Sequence, residues 1–173
     1  MSSWQSLSKS FSQCQTAFSE HRQVEVVYTS VQTLYQSYQT TVKQYDACTS
    51  CATYLSHSDY TSQFRQTLTQ MYTSFHSIVS IGSQDYSAEW QNRFSSTFQS
   101  MSSFGKFSLK VCAAVGIDLG SLLKSTGLNL EIFANLGINL GLGGILGAVG
   151  GIVGGILGGS GSGGNGLLGN LLG

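Results

Sequence analysis

The sequence predicts an all-α protein: an antiparallel bundle of three or four amphipathic helices, followed by a Gly/Leu/Ile-rich apolar C-terminal segment that is itself expected to be helical. Three observations carry that expectation. Apolar residues over the first two thirds of the chain recur at steps of three and four, which places them on one face of a helix. Proline is absent from all 173 residues, so nothing interrupts helical hydrogen bonding from within. Glycine is confined: the first is Gly82, the next Gly105, and all the others lie from Gly116 onward.

The first stripe is Trp4, Leu7, Phe11, Cys14 and Phe18. The second, Val24, Tyr28, Val31, Tyr35, Tyr38, Val42 and Tyr45, reads as a heptad seam. Between them Glu20-His21-Arg22 breaks the apolar pattern without a residue that ends a helix. Two helices therefore compete with one continuous helix to about Leu55, on the order of 75 Å long at ~1.5 Å per residue.

Tyr60, Phe64, Leu68, Met71, Phe75 and Ile78 form a third stripe, with Ser56-His57-Ser58-Asp59 offering N-caps before it. Gly82-Ser83-Gln84-Asp85 is expected to end that helix and cap a fourth, whose stripe is Trp90, Phe94, Phe98 and Met101, continuing towards Leu109 and Cys112. The faces between the stripes are Ser, Thr and Gln. These are mediocre helix formers, so packing of the stripes must supply the stability.

Composition divides the chain into a helical body over 1–115, an apolar glycine-zipper segment over 116–159, and a Gly/Ser linker with a Leu-rich clasp over 160–173. In the second segment Gly143, Gly147, Gly151, Gly155 and Gly159 are spaced by four. On a helix they share a face and leave a groove without side chains, flanked by Ile145, Val149, Ile152 and Ile156. Each glycine costs a helix in water roughly 1 kcal/mol relative to Ala. The segment is therefore expected to fold only where protein contact or a bilayer compensates.

Charge narrows the partners. Lys+Arg 8 and Asp+Glu 8 cancel, and only 9% of residues are charged. So few cations cannot neutralise a row of phosphates, so a nucleic-acid partner is not expected. A chain with little charge of either sign lacks self-repulsion, so association with copies of itself is expected. No secretory signal is visible at the amino end. The expected compartment is extracellular or cell-surface if a leader has been removed, and otherwise cytoplasmic or membrane-associated.

Motifs with chemical meaning are few. Cys48-Thr49-Ser50-Cys51 is a C-x-x-C, but neither Cys14 nor Cys112 brings a second ligand for zinc. The four cysteines read as small core residues or disulfides, and the pairing of Cys112 with Cys48 or Cys51 is favoured, because the ends of helices two and four meet in an up-and-down bundle. His21, His57 and His76 stand isolated among polar residues, where surface histidine is a better reading than a catalytic base. Gly159-Ser160-Gly161-Ser162-Gly163-Gly164 matches G-x-G-x-x-G but lacks the following helix and acid of a dinucleotide site. No cofactor, metal or enzymatic activity is expected.

Two functions lead, ahead of a surface-active or lipid-coating role. The first is a structural protein that self-assembles into a filament, tube or layer through its glycine-rich tail. The alternative is a membrane-inserting protein, pore-forming or anchored, using the same tail as a transmembrane helix. The span from Ile132 to Gly159 has no charge and exceeds the ~20 residues a crossing needs.

Overall fold

The computed structural model describes residues 2–138 and 140, and every regular element among them is a helix. The order is α1 (Ser2–Ser19), α2 (Val24–Asp46), α3 (Cys51–Leu55), α4 (Ser58–Asp85) and α5 (Ser87–Glu89), then a π-helical turn (Trp90–Phe94). α6 (Ser95–Ser100), α7 (Ser103–Val115), α8 (Leu119–Ser125) and α9 (Glu131–Asn135) complete it. Segment 87–115, although divided, runs as the fourth helix of a bundle.

Aromatic contacts fix the directions. Trp4, at the start of α1, meets Tyr45 near the end of α2 at 6.3 Å and Phe64 near the start of α4 at 4.8 Å. It also stacks on Phe107 of α7 at 5.2 Å. At the other end Phe18 meets Tyr86 and Phe94. Consecutive long helices are therefore antiparallel, and α1 and α4 run the same way. The expected bundle is present with four members. Its axis is aromatic: Phe11, Phe75 and Phe104 lie together at mid-height, with no exposed surface on any of them.

The first two helices are separate. The break is made at His21, which takes φ +51°, the left-handed conformation usually given to glycine at a helix end. Arg22 N donates to Ala17 O and His21 N to Phe18 O, the paired bonds that close a Schellman motif. Tyr86 fastens the turn by donating its hydroxyl to Arg22 O at 2.6 Å.

The register of α2 departs from expectation. In α2 the buried seam is Val27, Val31, Leu34, Tyr38 and Thr41, while Val24, Tyr28, Tyr35, Val42 and Tyr45 lie half-buried beside it. Both registers share Val31 and Tyr38. The small Thr41 side chain wins the inner position because the start of α1 approaches there, and its hydroxyl donates to Ser3 O. Tyrosines on the flank keep their hydroxyls near water.

The third helix ends at Asp85, within the stretch expected to end it. The N-cap of the next segment, however, is Tyr86, without a side-chain cap bond, and Gly82 is a packing position inside α4. A Cβ there would stand 2.6 Å from the Trp90 ring and 3.0 Å from Phe18. At its start α4 has His57 as N-cap, within the expected Ser56–Asp59 stretch, but His57 makes no side-chain cap bond, and Ser58 and Asp59 fall inside the helix.

The break in composition at Gly116 is not a break in packing. The first compact unit runs from Met1 to Gly141, past the change in composition. Within the first, α8 and α9 lie against α4. Phe133, with no exposed surface, stands edge-on to Tyr72 at 5.5 Å and Phe75 at 5.3 Å. Ile117, Leu119, Leu123, Leu136, Ile138 and Leu140 are buried with it. Glycines here stop helices rather than open grooves: Gly116, Gly127 and Gly137 all have φ between 71° and 76°.

Candidate association surface

The residues predicted to drive association, Gly143, Gly147, Gly151, Gly155 and Gly159 with Ile145, Val149, Ile152 and Ile156, lie outside the described residues. What the structure describes is the helical body and the arm, residues 116–138 and 140, that precede them in sequence.

The body hides its apolar side chains. Among the described residues only Val26 and Tyr54 are large hydrophobics with substantial exposure, 45% each. The outward faces of α1 and α4 are almost uncharged, α1 carrying only Lys9 and α4 only Asp59, Arg65 and Asp85. Between them runs a shallow groove of about 470 Å³ lined by neutral polar side chains, among them Gln5, Ser8, Ser12 and Gln70, with Lys9 the single charge. No described helix is long and apolar enough to cross a membrane.

Charges gather instead as pairs that tie one element to another. Arg93 Nη1 donates to Glu25 Oε1 at 2.8 Å, and its guanidinium lies 4.1 Å from the centre of the Tyr28 ring. The Arg93 guanidinium holds the Glu25 carboxyl below the ordinary carboxylate value. Lys110 reaches Asp46 at 2.8 Å, and His21 Nε2 contacts Asp85 at the same distance. Exposed pairs of this kind fix geometry more than they add stability.

The arm was missed by periodicity, yet it carries a legible signal. Gly116-Ile117-Asp118-Leu119 is followed by Gly127-Leu128-Asn129-Leu130 and Gly137-Ile138-Asn139-Leu140. In the first copy the left-handed glycine closes α7, Ile117 N donates back to Cys112 O, and Asp118 caps α8 by accepting from Ser121 N. Those Ser121 bonds, its hydroxyl first, hold the Asp118 carboxyl below its ordinary value. In the second copy Asn129 accepts from Glu131 N ahead of α9. In all three copies the glycine, in the left-handed conformation, follows a helix, and in the first the Asp118 side chain caps the next helix.

The cysteines depart from the favoured pairing. Cys48 and Cys51 are bonded to each other, with Cα atoms 5.5 Å apart, while Cys14 and Cys112 are buried free thiols. The ends of α2 and α7 do meet, as the Lys110–Asp46 contact shows. Cys112 nevertheless turns into the core, 1% exposed, and the two loop cysteines pair with each other. Burial pushes its thiol up to about 12 and raises that of Cys14 further, so neither is a ready thiolate.

The histidines lie apart from one another. His21 makes its turn, His57 stands exposed at the start of α4, and the Nε2 of His76 is buried without a hydrogen-bond partner, near Phe133. Burial lowers the His76 pKa below its ordinary value. Among the described residues no group of three or more His, Cys, Asp or Glu is placed to hold a metal ion. Compared with protein-family models, with curated proteins and with solved structures, the chain matches none.

Proposed function

We propose that this chain is a non-catalytic structural protein whose copies self-assemble, into a filament, tube or layer, through the glycine-rich apolar segment that follows the helical body. One contrast carries the reading. The body spends its large apolar side chains on its own core, leaving only Val26 and Tyr54 substantially exposed among the described residues. The following segment, with no charged residue after Glu131, has glycines at every fourth position from Gly143 to Gly159. Apolar surface that finds no place in water is driven into contact with other apolar surface, and side-chain-free rows let backbones close on one another.

The test is the particle size of the full chain in detergent-free buffer, by light scattering and negative-stain microscopy. Large ordered particles are expected. They should be lost in a chain ending at Gly141, the limit of the first compact unit, and in Gly151→Leu, whose side chain fills the groove. A monodisperse monomer of the full chain defeats the proposal.

The second reading, membrane insertion, rests on the charge-free length of the same segment. Its distinguishing outcome is flotation of the full chain with lipid vesicles and resistance to high-salt extraction.

A further inference from the structure

Tyr54 and Tyr60 are the closest aromatic pair among the described residues, their ring centres 4.2 Å apart and their planes 29° from parallel. Tyr54 lies on α3 and Tyr60 in the first turn of α4. The link between them is short and held: Leu55 is 2% exposed, and the Thr61 hydroxyl donates to Leu55 O at 2.7 Å. Tyr54 is 45% exposed, whereas Tyr38, Tyr72 and Tyr86 are buried in the bundle. The phenol pair is therefore both pre-stacked and open to a reagent in solution.

The sulfur chemistry around it points the same way. Thiols quench tyrosyl radicals by donating hydrogen. Here the two cysteines nearest in sequence, Cys48 and Cys51, are already joined as a disulfide, and the free Cys14 and Cys112 are buried. A disulfide of this kind persists in oxidising surroundings, which are also those in which phenols are oxidised.

We propose that Tyr54 and Tyr60 form an oxidative modification site, at which the two rings are joined ortho carbon to ortho carbon as a dityrosine bridge. A one-electron oxidant of the peroxidase class, with hydrogen peroxide as the terminal acceptor, removes one electron and one proton from each phenol. The two radicals combine into a carbon–carbon bond, and each ring returns its ortho hydrogen to oxygen, restoring both phenols. The two electrons and two protons reduce one hydrogen peroxide to two waters. Stacking raises the effective concentration of one ring at the other, so coupling inside the chain outruns encounters between chains. The product ties α3 to α4 covalently beside the existing disulfide.

The full chain, with its disulfide intact, is treated at high dilution with a peroxidase and hydrogen peroxide and then cleaved before aspartates. Cleavage at Asp59 separates Tyr54 from Tyr60 unless they are coupled. The expected result is dityrosine fluorescence and a joined peptide pair, 46–58 with 59–84, lighter by two hydrogens than the separate peptides. The pair should come from a single chain when isotope-labelled and unlabelled copies are mixed. Tyr54→Phe should abolish it, and Tyr28→Phe should leave it intact. Joined peptides dominated by other tyrosines, products only between chains, or equal yield from the urea-unfolded chain would each overturn the proposal.

Discussion

Gly82 decides how closely the fourth helical segment lies on α4. Because the Trp90 ring rests against its backbone, a single methyl group would meet carbon atoms at 2.6 Å. Gly82→Ala gains about 1 kcal/mol of helix propensity but forces repacking that costs about 1–3 kcal/mol. It should lower stability to urea, and a rise would show that the ring moves freely. His76 acts through protons. Burial holds its imidazole below the ordinary 6.5, so on acidification the unfolded chain takes up that proton first. The stability tied to this group is whole above pH 6.5 and drains away as the pH falls below it. Urea midpoints measured on both sides of that pH should converge in His76→Gln relative to the parent, and an unchanged difference would relieve His76 of this role.

The arm is where residue properties become the behaviour of an element. Phe133 anchors α9 between Tyr72 and Phe75. Its removal in Phe133→Ala should cost about 3–5 kcal/mol of the arm's attachment. Hydrogen exchange over 131–138 should then quicken while Phe11 and Phe75 amides keep their protection; equal loss in both places would mean that arm and bundle unfold together. Much of the bundle was legible beforehand. Four stripes at helical spacing lie on four helical segments, and of the third stripe Phe64, Leu68, Met71, Phe75 and Ile78 are buried while Tyr60 is only half-buried. The α2 seam was misplaced by one position because two registers with the same heptad period coexist in the sequence, and only the approach of α1 chooses between them. The α1–α2 break was hidden because residues other than glycine uncommonly take a left-handed conformation, and no glycine marks the turn at His21. The arm escaped because glycine was read as a groove former, whereas at Gly116, Gly127 and Gly137 it stops a helix.

At the scale of the whole molecule, association is proposed to ride on apolar contact, with a net formal charge of zero and Lys+Arg 8 against Asp+Glu 8. Particles of the full chain should therefore survive, or grow, when salt is raised to about 1 M, where charge interactions are screened within a few ångströms. Dissolution by salt would assign the contact to ion pairs instead. The candidate site itself was legible only as pattern, since four-residue glycine spacing names a packing mode and not the surface that answers it.

By itself the sequence determined the helical class, the polar faces and the apolar tail, because period, proline absence and charge are properties of the chain read locally. Tertiary structure decided which cysteines pair, which α2 register faces inward, that Gly82 seats Trp90, and that residues 116–140 belong to the body. Those outcomes depend on which distant side chains arrive at the same place, and no local pattern encodes an arrival.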